Sequence, residues 1–527
     1  MVRSLRLLAA VTLLWPTTLA AQLEPLGAPK GTLRFDLGGL FQSADRTFLD
    51  GRTQDYLADF GGSAFGANRL PFLAPTDSVL RQVLGQSGYR LHLGRQRSHG
   101  QLTIGSGIIG GALGLTSKLT LFARVPLVTT RVQARLALDS TSADGGLNPA
   151  HPALGNSLDQ GRATTFFTTF DAALADLGAR ISGGSYAGNP SLDSLARDIQ
   201  ARAAVLRDQL ATITTDPLSA SYFLPSTTSP TGLALTSLIR GLSDTLVTTL
   251  GVGTALADPV LANNRLTDAE FGGFLTDLAG PIAAFPLAES KIQRAGDMDV
   301  GAVYTLIDRW DRRGARPGGL RLAVTGTLRL PTGQRDNPAV LTDVGTGNGR
   351  YEAGVTGTAD VGRGRWGARF TGGYTVRFAS LRVKRVALPS QPYALAGRLA
   401  NITYNAGDVL SVGAQPFFRL APLFALSGSV DYWRSGADAA SYYRATDAIP
   451  GVSAGDLAAD SRRSALALGI GVSYVGRAAH ECEPRRPCGL PIDATWRYTS
   501  VYAATGGRVE TFRTTRLEIR WYQRLWR

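Results

Sequence analysis

The sequence of 527 residues contains little cysteine, lysine or histidine, with only two, four and four residues of these types. Beyond its N-terminal segment it also lacks any run of 18 apolar residues, which excludes a protein that crosses a membrane with helices. A charged fraction of 18% and a hydrophobic fraction of 44% exclude a disordered chain. The 62 glycines follow no three-residue period, so a collagen-like chain is excluded as well.

Arginine supplies most of the positive charge: 51 of the 55 basic residues are arginines, and the formal net charge is +14. A nucleic-acid-binding protein concentrates such charge on one face or in one tail. Here the arginines are scattered, usually one or two in each candidate strand. We therefore expect no nucleic-acid partner.

The N-terminus has the pattern of a secretory signal peptide over residues 1–21. Arg3 and Arg6 precede the apolar run 7–15, and small residues lead to a cleavage site after Ala21. The apolar run is too short to span a membrane. An ordinary buried helix is the alternative, but the pattern favours an exported chain.

Much of the remaining sequence alternates with a period of two, as β-strands do. In the segment 366–378, even-numbered residues are apolar or glycine and odd-numbered residues are Gly, Arg or Thr. A soluble sandwich would also alternate. Several apolar faces, however, end in aromatic residues, and the opposite faces are rich in small residues, Arg and Asp. This pattern predicts an all-β fold, an antiparallel transmembrane β-barrel that must close to pair its backbone groups.

The alternation predicts about twelve barrel strands, with 10 to 14 as the accepted range. They lie near residues 31–43, 100–115, 119–136, 297–309, 319–331, 350–361, 365–385, 408–420, 423–434, 462–476, 491–504 and 509–526. An even number returns both chain ends to the periplasm. Short connections, expected on the periplasmic side, fall at 116–118, 362–364 and 421–422. Long connections, expected outside the cell, fall at 44–99, 137–296, 332–349, 386–407 and 435–461.

The chain is thus divided into a signal peptide (1–21), first strands with a long first loop (22–136), a helical insertion (137–295) and the remaining strands (296–527). In the insertion, apolar residues recur at helical spacing over 195–213 and 235–250. A third helix should begin at Thr267, with Glu270 completing a capping box, and end near Gly280 and Pro281. We expect an extracellular cap or a plug in the barrel mouth; the alternative is a surface insertion without a transport role.

Two short motifs, a pair of cysteines and a glycine-rich segment, resemble a metal site and a phosphate-binding loop. Cys482 and Cys488 are six residues apart, and in an oxidising compartment we expect them to form a disulfide. A metal site is disfavoured because only His480 and Glu481 lie nearby. The glycines of 345–349 resemble a phosphate-binding loop but precede a strand pattern rather than a helix, so they predict a flexible turn.

The polar faces of the predicted strands carry many ionisable residues, and these are the candidate lumen-lining residues. They either form ion pairs that hold the wall rigid, which we favour for most of them, or line a water path and bias it toward anions. The candidates are Arg124, Asp297, Asp299, Arg321, Arg329, Glu352, Asp360, Arg369, Arg377, Arg419, Asp431, Asp493, Arg497, Arg516, Glu518 and Arg520.

Catalysis is not expected, and no catalytic, cofactor-binding or metal-binding residue is assigned. The four histidines (His92, His99, His151 and His480) form no two-histidine metal motif and none lies in a nucleophile elbow. A barrel hydrolase using His92 or His99 with a carboxylate from elsewhere is the weaker alternative.

Four stretches, taken in order, resemble a known family. They are Gly114–Leu121 continuing to Val125–Val128, Gly296–Tyr304, Leu330–Gly333 with Gly345–Gly347, and Tyr404–Val409. Together they resemble the outer-membrane barrels described as transporters of the phenol meta-pathway degradation type, which are loosely similar to fatty-acid and aromatic-hydrocarbon uptake barrels. The resemblance covers roughly residues 100–136 and 296–526. It implies an outer-membrane barrel that passes small, hydrophobic molecules, and it supplies no catalytic residues.

Two features depart from that family. The insertion is larger than expected, which puts a shared substrate path in doubt there. The last strand ends in Trp526 followed by Arg527, whereas the signal read by the barrel-assembly machinery usually finishes on the aromatic residue.

The sequence therefore predicts an outer-membrane barrel for passive or gated passage of small solutes, hydrophobic or anionic, without a cofactor. The alternative is a closed structural or adhesive barrel that displays the insertion. Expected partners are outer-membrane lipid and lipopolysaccharide, the barrel-assembly machinery through the C-terminal strand, and a small solute whose identity the sequence does not give.

Overall fold

The structure is a computed structural model that describes residues 26–285, 287, 289–311, 318–421, 423–476 and 492–526. The predicted signal peptide and the predicted Cys482–Cys488 disulfide lie outside the described residues. The described chain divides into two compact units. One comprises the described parts of 1–59, 98–135 and 284–527, and the other comprises 60–97 and 136–283.

The first unit is a closed antiparallel barrel of twelve strands. The strands are β1 (Thr32–Ala44), β2 (Arg95–Gly114), β3 (Leu119–Asp139), β4 (Met298–Asp311), β5 (Gly318–Leu330), β6 (Glu352–Arg363), β7 (Trp366–Arg377), β8 (Val409–Ala421), β9 (Phe424–Ser435), β10 (Arg463–Val475), β11 (Ile492–Gly506) and β12 (Arg513–Arg524). Each pairs with its neighbours along the chain. The predicted fold class and strand number are confirmed.

Closure occurs between the first and last strands. β1 pairs with β12 in an unbroken register from Thr32 opposite Arg524 to Ser43 opposite Arg513. On its other side β1 pairs with β2, from Leu33 opposite Leu113 to Ala44 opposite Leu102. No barrel strand is left with an unpaired edge, which is the condition for β-structure to exist in lipid.

The outer surface of the barrel is apolar because the outward-facing positions of each strand carry large hydrophobic side chains. Phe370 on β7 and Ile470 on β10 are about half exposed, whereas the alternate position Arg369 is buried. Six aromatic residues at the ends of these apolar faces are exposed (Tyr304, Trp366, Phe378, Tyr432, Tyr502 and Trp521). An apolar surface with aromatic residues at its margins identifies the barrel as membrane-spanning.

Shorter strands extend the barrel unit. Glu289–Ala295 pairs with β3 beyond the part of β3 that pairs with β4. Ser380–Arg385, Leu399–Asn405 and Ala439–Tyr442 form a three-stranded sheet, and Arg46–Leu49, Arg52–Asp55 and Val509–Glu510 form another. The sheet containing Leu399–Asn405 has its own small core, in which Val386, Ile402 and Tyr404 are buried. The long connections of the barrel are therefore structured.

The second unit is mainly helical. Its helices are α1 (Ala74–Leu84), α2 (Ser157–Ser182), α3 (Pro190–Thr214), α4 (Pro230–Asp244), followed by a π-helical turn (Thr245–Thr249), and α5 (Asp268–Thr276); a short pair of strands joins Gly145–Leu147 to Phe223–Pro225. Its core contains Phe166 and Phe170 of α2, Leu210 of α3 and Ile239 of α4. No helix in the described residues has the length and apolar character needed to cross a membrane.

The sequence prediction missed two parts of this unit. Helix α1 lies in the segment 60–97, which the sequence analysis assigned to a long first loop. Helix α2 was not identified, although it has an N-cap in which the Asn156 side chain accepts from the Asp159 amide. Its buried residues do recur at helical spacing, but two of them are alanines and threonines surround the aromatic residues, so its apolar stripe is weak in the sequence.

Helix α5 begins where its capping box predicts. The Thr267 hydroxyl accepts from the Glu270 amide at 3.2 Å, and the Glu270 carboxylate accepts from the Thr267 amide at 2.8 Å. The helix ends at Thr276, earlier than the predicted end near Gly280. Asp277 has an extended backbone, and its carboxylate accepts from the Ala279 amide at 3.0 Å. This local turn competes with the helix and terminates it.

Removing the cap of α5 should loosen that helix. We expect Thr267→Ala to destabilise it by about 1 kcal/mol, since the first turn loses the acceptor for the Glu270 amide. Hydrogen–deuterium exchange of residues 268–276 measures the effect as faster exchange. Thr276→Ala is the matched control, because that hydroxyl donates within the same helix to the Gly272 carbonyl at 2.9 Å and caps nothing. Equal exchange in the two variants would contradict the assignment.

Candidate functional site: the barrel interior

A carboxylate shared by two arginines lies inside the barrel across three adjacent strands. Arg321 on β5, Asp360 on β6 and Arg369 on β7 occupy directly opposed positions in the strand pairing. Asp360 is 2.7 Å from the Arg321 guanidinium and accepts from Arg369 at 2.6 and 2.8 Å. The Arg321 guanidinium also lies over the ring of Trp310, 4.6 Å from its centre. The register of the strands thus produces a buried cross-strand ion pair.

A second row of charges lies farther along the same strands. Asp299 on β4 accepts from Arg329 on β5 at 2.8 and 3.0 Å, a bidentate contact. Arg329 also lies 3.4 Å from Glu352 on β6, which it opposes in register. Arg350, just before β6, donates to the other oxygen of Glu352 at 2.9 Å. Bidentate arginine–carboxylate contacts fix geometry as well as charge.

The third cluster lies at the closure of the barrel. Asp36 on β1 accepts from Arg34 on the same strand at 2.7 Å and from Arg124 on β3 at 3.0 Å. Arg124 reaches Asp36 across the intervening strand β2, at Gly110. A Cβ on Gly110 would lie 2.7 Å from Cγ of Arg124. Because Gly110 has no side chain, the Arg124–Asp36 ion pair can join β3 to β1, two strands that are not neighbours.

A similar bridge crosses β10. Arg497 on β11 pairs with Asp431 on β9, and the inward residues of β10 between them are small. Gly471 is directly opposite Arg497 in register. On the far side, a Cβ on Gly413 of β8 would lie 2.8 Å from the Asp431 carboxylate. Small residues and long charged residues therefore alternate around the interior.

All sixteen candidate lumen-lining residues lie in the barrel unit, and thirteen of them are less than 10% exposed. The side chains of Arg329, Asp431 and Arg516 are 15%, 18% and 20% exposed. Most are joined to a charged partner, as described above. Asp493 accepts from the Tyr522 hydroxyl at 2.6 Å, and Arg377 donates to the Ser435 hydroxyl at 3.3 Å. Whether these side chains contact a passing solute stays a prediction.

The interior also encloses a cavity of about 170 Å³. Its apolar wall comes from the inward residues of β1, β2 and β3, namely Leu40, Ile104, Ile108, Pro126 and Val128. Its polar wall carries Asp36, Arg124, Asp297, Asp299, Arg329, Arg497, Arg516 and Glu518, together with Thr499 and Thr514. The cavity therefore offers both apolar surface and charged groups to a molecule inside it.

The loop between β5 and β6 folds against this cavity and is held by Asp297. The Asp297 carboxylate accepts from the Gly333 amide at 2.9 Å and from the Asn348 amide at 2.6 Å, so it joins the two ends of the loop. A Cβ on Gly347 would lie 2.4 Å from that carboxylate and 2.6 Å from the Gly333 backbone. The glycines permit this close approach. The segment predicted to be a flexible turn is in fact tied down by hydrogen bonds.

A second cavity, of about 120 Å³, is lined by residues of the same loop. Gly347 and Asn348 line both cavities. The second cavity is also lined by Asp336 and Lys384, which form an ion pair. Burial alone would raise the pKa of Asp336, but the Lys384 ammonium lowers it below its ordinary value. Gly347 and Asn348, near the end of the loop, therefore border both cavities.

The sequence analysis did not predict several residues that lie in the barrel interior. Arg34 and Asp36 alternate with Leu33, Phe35 and Leu37, so the period that identified the other strands could have assigned them to the interior. Other missed residues, Asn348, Arg350 and Arg382, lie outside the strands or in a short sheet, where no period applies. Tertiary folding of the loops brings them to the interior.

The described histidines are dispersed. His99 lies 3.8 Å from Asp55 at the exposed surface of the barrel unit. His151 belongs to the second unit, where its Nδ1 accepts from the Ala153 amide at 3.1 Å and burial lowers its pKa. His92 also belongs to the second unit. Within the described ranges, no three His, Cys, Asp or Glu side chains are placed to share a metal ion.

Comparison with known proteins gives only distant similarities. No family model and no curated protein matches the sequence. Among solved structures, an outer-membrane channel from Pseudomonas putida F1 aligns with a TM-score of 0.41 at 10% identity, covering 95% of this chain and 100% of that one. The monoaromatic hydrocarbon channel TodX, as a mutant, aligns at 0.26 and 11% identity, with 95% and 91% covered.

The translocator domain of the autotransporter NalP from Neisseria meningitidis aligns with a TM-score of 0.26 at 8% identity, covering 93% of this chain and 88% of that one. Similarities this weak decide nothing about activity. The barrel itself is established by the strand pairings of this chain.

The bridge across β2 predicts a strong difference between two glycines of that strand. Gly110→Ala should destabilise the barrel by about 1–3 kcal/mol, because the new methyl group meets Arg124 Cγ at 2.7 Å and the Ala123 carbonyl at 2.9 Å. The urea midpoint, followed by heat-modifiable gel mobility, measures the loss. Gly107→Ala is the control, since its Cβ would have no heavy atom within 4 Å. Equal midpoints would refute the importance of the bridge.

Proposed function

We propose that this protein is an outer-membrane channel for passive passage of small solutes that combine an apolar part with a polar group. The observation that supports it is the cavity inside a closed barrel, whose lining combines apolar side chains from β1, β2 and β3 with arginines and carboxylates. Transport across such a barrel needs no chemistry, only a solute that exchanges water for this lining.

The size of the cavity favours a small solute. A cavity of about 150 Å³ lined by apolar side chains accepts a molecule the size of benzene. The barrel cavity of about 170 Å³ is comparable, but its lining also presents guanidinium and carboxylate groups. These charges are mostly paired, so they supply directional hydrogen bonds with little net field. A ring or short chain with one polar substituent suits such a space.

We further propose that the loop between β5 and β6 gates the path. Gly347 and Asn348 border both cavities, so a solute that moves from one to the other must displace them. The loop is held by Asp297 through two amides and by Arg382, which donates to the Asn348 carbonyl. Opening requires these contacts to break together, which makes the loop a two-state element.

A second candidate function is a rigid barrel that displays the helical unit at the cell surface. Buried ion pairs such as Arg321–Asp360–Arg369 favour it, because they join several strands and occupy interior space. The two candidates differ in one respect: a display barrel needs no continuous path, whereas a channel does.

Single-channel recording of the refolded mature chain in a planar bilayer distinguishes them. We expect discrete conductance steps, because the loop should switch between held and released positions. Gel mobility before and after heating verifies that the protein in the bilayer preparation is folded. Folded protein that gives no steps, and no solute flux in liposomes, would contradict the channel and support the display barrel.

Asp297→Ala tests the gate. Both ends of the loop lose their shared acceptor, so we expect longer or larger open states, with at least a several-fold rise in open probability. Asp55→Ala is the control, since it replaces an exposed carboxylate in another long connection of the barrel unit. Unchanged gating in Asp297→Ala, with normal folding, would remove the loop from the mechanism.

A further inference from the structure

Three arginines are buried together at the end of the barrel where β6 begins and β7 ends. Arg350 is 1% exposed, Arg377 is 4% exposed and Arg382, in the strand Ser380–Arg385, is 5% exposed. Arg350 donates to Glu352, which lies directly opposite Arg377 in the strand pairing, and Arg382 donates to the Asn348 carbonyl, two residues before Arg350. Arg463 adds a further positive charge in range of Arg377. So many guanidinium groups away from water need negative partners.

The carboxylates near these arginines in the described chain are already engaged by other groups. Asp438 is in range of Arg377 but accepts from the Tyr404 hydroxyl and the Gly407 amide. Arg350 uses only its Nε, which donates to Glu352, and neither terminal nitrogen has an acceptor among the described residues. Glu352 is shared, because Arg329 lies 3.4 Å from its other oxygen. Arg377 has a single side-chain hydrogen bond, to the Ser435 hydroxyl, and its Nε is buried without an acceptor in the described chain.

Arg382 also lacks a carboxylate of its own. Its Nε donates to the Ser380 hydroxyl at 3.1 Å, and a terminal nitrogen donates to the Asn348 carbonyl. The guanidinium lies over the Tyr404 ring, 5.5 Å from its centre. Burial lowers the pKa of Arg382, and the charge of Arg350 lowers it further. The nearby Asp336 already pairs with Lys384.

We propose that Arg350, Arg377 and Arg382 form a binding site for a small oxyanion, the carboxylate or phosphate group of a solute. The planar guanidinium donates two parallel hydrogen bonds to such groups, which a monatomic anion cannot accept in the same way. Arg382 contacts Asn348, so the site adjoins the loop that borders the two cavities. Its role in selecting a solute for passage rests on the proposed channel function, whereas binding itself does not.

Equilibrium binding to the refolded full chain tests the site without any need for conduction. Sodium phosphate and sodium acetate are titrated separately, in detergent free of lipopolysaccharide, against sodium chloride at matched ionic strength, and the melting temperature is followed by tryptophan fluorescence. We expect a saturable rise with phosphate or acetate that chloride does not give. In Arg350→Gln the apparent Kd should increase at least ten-fold.

Two further variants complete the test. Arg350→Lys keeps the charge but loses the two-pronged donor and should bind more weakly than the native protein. Arg382→Gln should also weaken binding. Because Arg382 lies outside the barrel strands, this variant replaces Arg350→Gln in the test if Arg350→Gln does not fold. Arg363→Gln is the matched control, because Arg363 is exposed at the far end of β6. It should bind as the native protein does.

Each outcome decides the proposal. Equal stabilisation of the native protein, Arg350→Gln and Arg382→Gln by phosphate and acetate, or no stabilisation beyond that of chloride, would overturn it. If only added lipopolysaccharide stabilises the native protein, the phosphate belongs to a lipid and the solute site is refuted. Saturable binding in a protein that gives no conductance would support the site and contradict the channel.

Discussion

The pairing of arginine with carboxylates inside a closed barrel is the interaction on which the rest of this structure depends. Backbone pairing forces the barrel to close, and a period of two then sends every second side chain inward. In this chain many inward side chains are long and charged. They are stable there because opposed strand positions bring opposite charges together, as in Arg321–Asp360–Arg369. Removing one member would leave a buried charge without its partner.

Glycine has a role in the same network. Where charged partners lie on strands that are not adjacent, the strand between them has a glycine or another small residue facing inward. Gly110 lies beneath Arg124, and Gly471 lies opposite Arg497. Glycine and arginine are both abundant in the composition, and the interior uses them together. The small residue leaves the space through which the arginine side chain reaches its carboxylate partner.

The barrel was predictable because its signal is local and repeated. Each strand shows its period in the sequence, and twelve such signals with short and long connections determine an up-and-down barrel. The loop between β5 and β6 had no such signal. Asp297 was assigned to the interior, but its contacts with Gly333 and Asn348 join distant parts of the chain. Helix α2 was missed because its apolar stripe is weak, and Arg350 because it precedes a strand rather than lying in one.

The closing seam of the barrel has a consequence for assembly. Asp36 lies on the first strand, and Glu518 and Arg520 lie on the last, yet all three belong to one charged cluster with Arg124. That cluster is incomplete until the C-terminal strand is in place, since contacts so distant in sequence form late. A half-built barrel would carry unbalanced charges along its open edge. Completing the cluster therefore stabilises the correct pairing of β1 with β12. It also disfavours pairing of the open barrel edge with another chain.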